Sequence, residues 1–182
     1  MYISAKAEYV ARALLTLAAA GDQPVKGEVL AREQGLPFKF LENTLVTVRQ
    51  AGLIRAQRGP DGGYQLARPA ASITIADVLR LLDGPLADVR GEKPEEAVYE
   101  GPAAHLQDVW IAVRVALRDV LESVTLAHII DGKLPPNVAK LLDRPGAWER
   151  REPGPAAVGA VPAGAGSETG RRGATRDGRQ RR

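Results

Sequence analysis

Apolar residues spaced three and four positions apart predict that the chain begins with a helix. They are Ile3, Ala7, Val10, Leu14 and Leu17. This helix spans 4–20, with Ser4 as a candidate N-cap and Gly21 at its end. A shorter pattern predicts a second helix over 26–34, and "GLP" at 35–37 supplies a terminal glycine and a proline suited to begin another helix. Two helices joined by a short glycine-containing turn are typical of a helix-turn-helix.

The third predicted helix, 37–51, has two different faces at about 100° per residue. One face is apolar and carries Phe38, Leu41, Leu45 and Val48. The opposite face is mostly polar and carries Lys39, Glu42, Asn43, Val46 and Gln50. Taken alone, such a face is typical of an ordinary solvated helix. Its position after a helix and a turn favours a surface that reads DNA.

Two short strands follow the third helix and flank the stretch "RGPDGG". Gly52 ends the helix, and 53–57 and 64–66 have strand character. Helix, turn, helix and hairpin is the element order of a winged helix-turn-helix. A fourth helix then begins after Ser72 or Thr74, either of which suits its N-cap.

The second half of the chain predicts an irregular acidic segment followed by a long helix. Prolines and glycines interrupt 84–104, so regular structure is not expected there. The stripe that follows is apolar: Leu106, Val109, Trp110, Val113, Leu117, Val120, Leu121 and Val124. About 20 helical residues span roughly 30 Å, more than a small winged domain needs for its own core. The stripe therefore predicts a dimer interface, with Thr125 capping a further turn over 126–130.

The predicted fold class is mostly α with a small β-hairpin wing (α+β). A winged helix-turn-helix DNA-binding domain occupies 1–83, and the acidic loop occupies 84–104. The dimerisation helix and a C-terminal helical segment occupy 105–144. A tail rich in Gly, Ala, Pro and Arg, expected to be disordered, occupies 145–182.

Charge and composition narrow the function. The net charge is +3, and 26–68 is locally basic whereas 83–108 is strongly acidic, which indicates a polyanion-facing module and a separate region with another role. The chain has no cysteine, which excludes disulfides and thiolate chemistry. Since there is also no long apolar run or signal pattern, we expect a cytoplasmic protein with no membrane partner.

Three stretches identify a family resemblance. "SAKAEYVARALLTLA", "LPFKFLENTLVTVRQAGLIRAQRGPDGGYQLARP" and "ITIADVLRLLDGPL" resemble the Rrf2 family of bacterial winged helix-turn-helix regulators, over roughly 1–131. The resemblance implies a homodimeric transcription factor, commonly a repressor, that binds double-stranded DNA. It places the second helix of the motif in the major groove and the wing arginine in or beside the minor groove.

The resemblance also assigns DNA-binding residues. It directs Glu42 and Asn43 toward base edges, and Arg58 is the wing arginine. Lys39 suits either a phosphate or a guanine. Phosphate contacts are expected from Arg49, Arg55, Arg58 and backbone amides, with a structural ion pair as the alternative for Arg49. Tyr64 is expected to pack in the wing rather than contact a base. The full expected set is Lys39, Glu42, Asn43, Arg49, Gln50, Arg55, Arg58, Gly59, Gly62 and Gly63.

The sensing region departs from the family. Many members hold an iron–sulfur cluster on three cysteines between the fourth helix and the dimerisation helix, and this chain has none. His105 and Glu8 lie at or near positions that supply non-cysteine ligands in some relatives. Because a cluster needs thiolates, we expect no iron–sulfur cluster and no other cofactor, and His105 and Glu8 are kept only as a possible effector region. The acidic residues near His105 could in principle bind a divalent metal, but such loops are more often solvated, so no metal is assigned. His105 would then cap or pack at the long helix, the acidic loop would be solvated, and a protein or small-molecule effector stays open.

The sequence allows one other functional class and argues against a second. A protein-interaction adaptor using the winged fold, controlled by a bound metabolic enzyme or small ligand, is the alternative. An enzyme is not expected, because only His105 and His128 are available as histidines and no nucleophile elbow, phosphate loop or metal-ligand pair is visible. No catalytic residue is therefore assigned.

Overall fold

The computed structural model describes residues 2–150. These residues contain seven α-helices and one antiparallel pair of strands. In chain order the elements are α1 Ala5–Ala19, α2 Gly27–Gln34, α3 Phe38–Gln50, β1 Ile54–Gln57, β2 Gly63–Leu66, α4 Ile75–Asp83, α5 Leu106–Leu121, α6 Leu126–Ile130 and α7 Pro136–Leu142. The predicted fold class is confirmed. Most of the predicted tail, 151–182, lies outside the described residues.

One apolar core joins the helix-turn-helix to the rest of the protein. Its most deeply buried side chains are at most 2% exposed: Val10, Leu14, Leu17, Leu30, Leu41, Leu45, Val48, Ile54, Ile73, Val78 and Leu126. All except Ile73, which lies just before α4, come from α1, α2, α3, β1, α4 and α6, so each of these elements buries its apolar residues against the others. Burying one such side chain stabilises the fold by about 1.5–3 kcal/mol. The core therefore fixes the orientation of α3.

Among residues 2–150, no helix is long and apolar enough to cross a bilayer.

Side-chain caps set the starts of three helices. The Ser4 hydroxyl accepts a hydrogen bond from the Ala7 N–H at 3.0 Å, which confirms the predicted start of α1. Of the two candidates for α4, Thr74 is the N-cap, since its hydroxyl accepts from the Asp77 N–H and the Asp77 carboxylate accepts from the Thr74 N–H. Thr125 caps α6, also as predicted.

The wing is fastened to the segment before α2. The strands pair from Ile54 opposite Leu66 to Gln57 opposite Gly63. Val25 adds a bridge on the other edge of β2, where its N–H donates to the Tyr64 carbonyl at 2.9 Å and its carbonyl accepts from the Tyr64 N–H at 2.8 Å. A Cβ at Gly63 would lie only 2.6 Å from the Val25 carbonyl oxygen. The close approach therefore requires glycine.

Gly63→Ala tests this fastening. We expect it to lower the free energy of unfolding by about 1–3 kcal/mol, because backbone must shift to admit the methyl group. Urea unfolding measures the effect. Gln57→Ala, which removes an exposed side chain from the opposite strand, is the control and should change stability by less than about 0.5 kcal/mol. Equal stability of Gly63→Ala and the parent protein would contradict the account.

Two expectations for the second half of the chain were wrong. Helix α5 has 16 residues rather than about 20, and Val124 lies beyond it. The Ser123 hydroxyl donates to the carbonyls at the end of α5, and the Val124 carbonyl accepts from the Ile75 N–H at 2.9 Å. Val124 is thereby buried within the protomer, at 7% exposure. Tertiary pairing with the start of α4 thus ends the helix early.

The acidic segment 84–104 is more ordered than its sequence predicts. It contains two short 3-10 turns, Pro94–Glu96 and Gly101–Ala103. The Gln107 side-chain amide donates to three of its carbonyls, at Pro94, Glu95 and Ala97. The segment therefore packs along α5, because the single side-chain amide of Gln107 satisfies several of its backbone carbonyls.

Candidate nucleic-acid interface

A glycine turn sets the angle between α2 and α3. Gly35 adopts φ 64° and ψ 32°, a left-handed conformation that favours glycine. The Gly35 N–H donates to the Arg32 carbonyl at 3.1 Å, and the Leu36 N–H donates to the Ala31 carbonyl at 2.9 Å. These bonds end α2, and α3 begins at Phe38. A Schellman-type cap therefore ends α2 and forms the turn of the helix-turn-helix that "GLP" predicts.

The two faces predicted for α3 are confirmed by burial. Leu41, Leu45 and Val48 are buried, and Phe38 is half-buried. Thr44 is also buried, and its hydroxyl donates to the Phe40 carbonyl, which satisfies it within the helix. The opposite face presents Lys39, Asn43, Val46 and Gln50 as exposed residues, with Glu42 half-buried. This face can therefore meet a groove without disturbing the core.

Lys39 and Glu42 pair with each other on the outward face. Their charged atoms lie 3.0 Å apart, with the side chains 81% and 37% exposed. An exposed ion pair of this kind contributes about 0–1 kcal/mol. Either side chain can therefore exchange its partner for another group at small cost, and no residue within 2–150 bonds the side chain of Asn43 at the next position.

The wing tip is a tight turn with an exposed arginine beside it. The Gly62 N–H donates to the Gly59 carbonyl at 3.0 Å, and Gly59 adopts φ 111°. Gly62 is needed for space instead, since a Cβ there would lie 2.3 Å from the Gln57 carbonyl oxygen. Within residues 2–150 neither Arg58 nor Asp61 forms an ion pair, and both are exposed. The turn thus presents a cation with almost no surrounding bulk.

Two other arginines expected at phosphates differ from each other. The Arg55 Nε donates to Gln65 Oε1 at 3.2 Å across the hairpin, while the Gln65 amide donates to the Asp22 carbonyl. Arg55 is therefore positioned by one hydrogen bond through Nε, while its side chain stays exposed. Arg49 is exposed and has no ion pair in the described part of the chain, so the alternative of a structural ion pair is not what the structure has.

Sequence reasoning missed Lys26 and was right about the packing of Tyr64. Lys26 is exposed at the start of α2, and it shares a shallow surface depression with Gln57, Pro60 and Asp61 of the wing. The sequence feature that could have indicated Lys26 is a single cation directly before α2, the first helix of the helix-turn-helix. Tyr64 is half-buried against the core and bridges to Val25 through backbone hydrogen bonds. Tyr64 therefore holds the wing rather than reaching outward.

Helix α5 carries an apolar face without a partner among residues 2–150. No α5 residue is buried, and Leu106, Val109 and Val113 of this face are 36–50% exposed. The residues that turn toward the protein, Trp110, Leu117 and Leu121, are half-buried, as is Val120. The predicted stripe is thus divided between contact with the protomer and exposed surface, and only Val124 leaves it.

His105 and Glu8, the candidate effector residues, do not belong to a metal-binding group within residues 2–150. His105 precedes α5 but its side chain neither caps the helix nor packs, since it is 96% exposed with Nδ1 3.2 Å from Asp108 Oδ2. Glu8 pairs with Arg12 on α1 at 3.4 Å. Among residues 2–150 no group of three or more His, Cys, Asp or Glu side chains is placed to hold a metal ion.

Acidic residues of 84–104 are engaged in ion pairs. Glu95 pairs with Arg114, and Glu96 with Lys93 at 3.0 Å. The pKa of Glu95 lies below its ordinary value, first because its own backbone N–H donates to the carboxylate and next because of Arg114. The pKa of Lys93 is raised, chiefly by its hydrogen bond to Glu96. Both shifts favour the charged forms at neutral pH, so the ion pairs of Glu95 and Glu96 stabilise the fold of the segment.

Residues 3–132 match a protein family, Rrf2, described as an iron-dependent transcriptional regulator. The donor set of this chain does not fit an iron–sulfur cluster. A cluster is held mainly by cysteine thiolates, the chain has none, and its two candidate non-cysteine ligands each pair with a neighbour on or beside their own helix. The family's fold is therefore retained without the residues that would bind a cluster.

Relatives and solved structures agree on the family. The chain is 50% identical over 144 residues to Rv1287 of Mycobacterium tuberculosis H37Rv, which carries an HTH-type transcriptional regulator name, covering 79% of this chain and 89% of that protein. It is 35% identical to the HTH-type regulator CymR of Bacillus subtilis, over 71% and 89%. The solved structure of B. subtilis CymR, titled a global cysteine regulator, superposes with a TM-score of 0.63 at 32% identity, covering 73% of this chain and 98% of that one. T. potens IscR superposes with a TM-score of 0.59 at 31% identity, over 72% and 88%. The chain belongs to the Rrf2 family of transcriptional regulators, which bind DNA and are not enzymes.

Proposed function

We propose that this protein is a cytoplasmic homodimeric repressor that reads a palindromic operator without an iron–sulfur cluster. The observation that carries the proposal is the combination of an outward polar face on α3, whose one ion pair is exposed, with an exposed wing arginine that forms no ion pair within residues 2–150. A dimer seated on an operator would block access of the transcription machinery to the same DNA. Repression is therefore the role that we assign.

Helix α3 enters the major groove in this proposal. It has 13 residues and is therefore about 20 Å long, a suitable length for a groove about 12 Å wide. Asn43 can bond adenine N6 and N7, and Glu42 can accept from cytosine N4. Lys39 then contacts a phosphate or a guanine after leaving Glu42. Val46, one turn from Asn43, adds an apolar surface suited to a thymine methyl group.

Arg58 enters or borders the minor groove. A narrow A-tract minor groove has an enhanced negative potential that attracts arginine. The glycine turn supports this role because Gly59 and Gly62 let backbone approach the DNA closely. Arg49, Lys26 and Arg55 are exposed cations suited to phosphates, and Arg55 can offer its Nη donors while its Nε stays bonded to Gln65.

The exposed face of α5 forms the dimer. Val109 and Val113 are 50% and 42% exposed on a helix with no buried residue, and a two-fold partner would bury both faces at once. A two-fold dimer presents two copies of α3 and two wings to the duplex. Its operator is therefore an imperfect palindrome with half-sites about one helical turn apart or slightly more.

Arg58→Ala tests the wing assignment. We expect operator binding to weaken by about 1–3 kcal/mol, since a cation that the fold does not use is removed from the groove. Fluorescence anisotropy at fixed salt, on a fragment containing the operator, measures the change. Arg144→Ala removes an exposed arginine from the end of α7 and should leave affinity unchanged. An unaltered affinity for Arg58→Ala would refute the assignment.

A further inference from the structure

We propose that a cleft between α4, the acidic segment and α5 binds a small organic carboxylate as an effector. The cleft has a volume of about 410 Å³. Its lining includes Arg80 from α4, Lys93 from the acidic segment, Arg114 and Arg118 from α5, and an apolar wall of Pro85 and Leu86. It does not contain His105 or Glu8. The binding site is inferred from these lining residues alone, whereas its effect on DNA binding rests on the proposed function.

Two guanidinium groups on α5 have donors left over. Arg114 and Arg118 are one helical turn apart and face the same cleft. The Arg114 side chain is only 14% exposed, and while its Nη1 donates to Glu95, its buried Nε has no acceptor among the described residues. A guanidinium with an unpartnered donor is destabilised, and a carboxylate held against its open edge would compensate for this. Arg118 forms no ion pair within residues 2–150.

The remaining charges around the cleft select an anion at the α5 side. Arg80 and Lys93 are partnered by Glu122 and Glu96, neither of which lines the cleft. Glu95 lines it but is held by Arg114. Asp88 is the one lining carboxylate that no described residue neutralises, so it opposes an anion on its own side. The free donors of Arg114 and Arg118 therefore determine where a carboxylate binds.

The apolar wall indicates that the ligand carries a hydrocarbon body. Leu86 is 6% exposed and packs in a cluster with Ala7, Ala76 and Leu79, which join α1 to α4. Ligand pockets in proteins occupy about 300–1,000 Å³ and combine apolar walls with a few polar anchors. A carboxylate on a compact apolar group fits both features.

Binding would link the DNA-binding part to the dimer helix. The lining comes from α4, the acidic segment and α5, and α4 also packs on α1. A carboxylate held by Arg114 and Arg118 while its body contacts Leu86 fixes α5 against α4. In a two-fold dimer that angle determines the separation of the two α3 helices, so occupancy changes operator affinity.

Benzoate is the probe, and benzamide is its uncharged counterpart of nearly the same shape. We expect benzoate to shift the Nε–Hε signals of Arg114 and Arg118 saturably in the NMR spectrum of the full chain labelled with ¹⁵N-arginine, at constant ionic strength. A Kd of about 1 mM is expected for so small a ligand. Benzamide should not shift them. Arg118→Gln should weaken benzoate binding by about tenfold or more, whereas Arg144→Gln should leave it unchanged.

The result that would overturn the site is the absence of saturable shifts with benzoate, or equal binding by Arg118→Gln and the parent. Both are read without DNA, so they are independent of the proposed function. Operator affinity is then measured with and without saturating benzoate. A site that binds benzoate but leaves operator affinity unchanged would contradict the link to α3, while a protein that binds no operator at all would contradict the proposed function instead.

Discussion

Val113→Asp is expected to convert the dimer into a monomer and to abolish operator binding. Val113 lies at the middle of α5 and is 42% exposed, on the face that a two-fold partner would cover. In the dimer the substitution would bury two unpaired carboxylates close to the axis, at a cost of several kcal/mol each. The dimer dissociation constant should rise by about 10³-fold or more. Sedimentation velocity at micromolar protein measures the change.

Val115→Asp is the matched control for this prediction. Val115 is 47% exposed but lies about 160° around α5 from Val113, on the other side of the helix. The same substitution there should leave the protein dimeric and able to bind the operator. A dimeric Val113→Asp protein, or a Val115→Asp protein that dissociates just as fully, would show that a different face forms the dimer.

Asn43→Ala is expected to remove most of the discrimination between operator and unrelated DNA. A bidentate amide contact to a base is worth about 1–3 kcal/mol, and a dimer makes it in both half-sites. The summed loss of about 2–6 kcal/mol corresponds to roughly 30-fold to 10⁴-fold in operator affinity. Binding to unrelated DNA should hardly change, since that affinity comes from phosphates.

Competition binding with operator and unrelated duplexes measures the ratio of the two affinities. Gln23→Ala, which removes an exposed amide side chain outside α3, is the control and should keep the ratio. Because Asn43 is exposed and no described residue bonds its side chain, the variant should unfold at the same urea concentration as the parent. A folded Asn43→Ala dimer with unchanged discrimination would contradict the direction assigned to α3.

The sequence was sufficient wherever a local rule decides the structure. The two faces of α3 follow from helical periodicity, and the caps at Ser4 and Thr125 follow from the preference of hydroxyls for the first turn. Gly35 followed by a proline marks the turn of the motif, because only glycine adopts its left-handed conformation easily. These features predict where α3 begins and which of its faces points outward, whereas its orientation depends on the core.

Tertiary contacts decided the features that sequence reasoning missed. Val124 was assigned to the dimer helix because the apolar spacing continues through it, whereas its backbone pairs with the start of α4. The hydrogen bond from Arg55 to Gln65 across the hairpin was not predicted, because nothing local reveals that the two side chains face each other. Arg114 and Arg118 gave no signal, since the cleft they share depends on the path of the acidic segment along α5.

Selection of bound sequences from random double-stranded DNA by the full chain tests the central claim most directly. The account predicts an enriched imperfect palindrome with half-sites about 10–11 base pairs apart or slightly more, occupied by one dimer and weakened steeply by salt. The result that would contradict it is a pool with no enriched motif, or a motif without two-fold symmetry that a monomer occupies. Recovery of a stoichiometric protein partner together with no DNA affinity above background would indicate an adaptor instead.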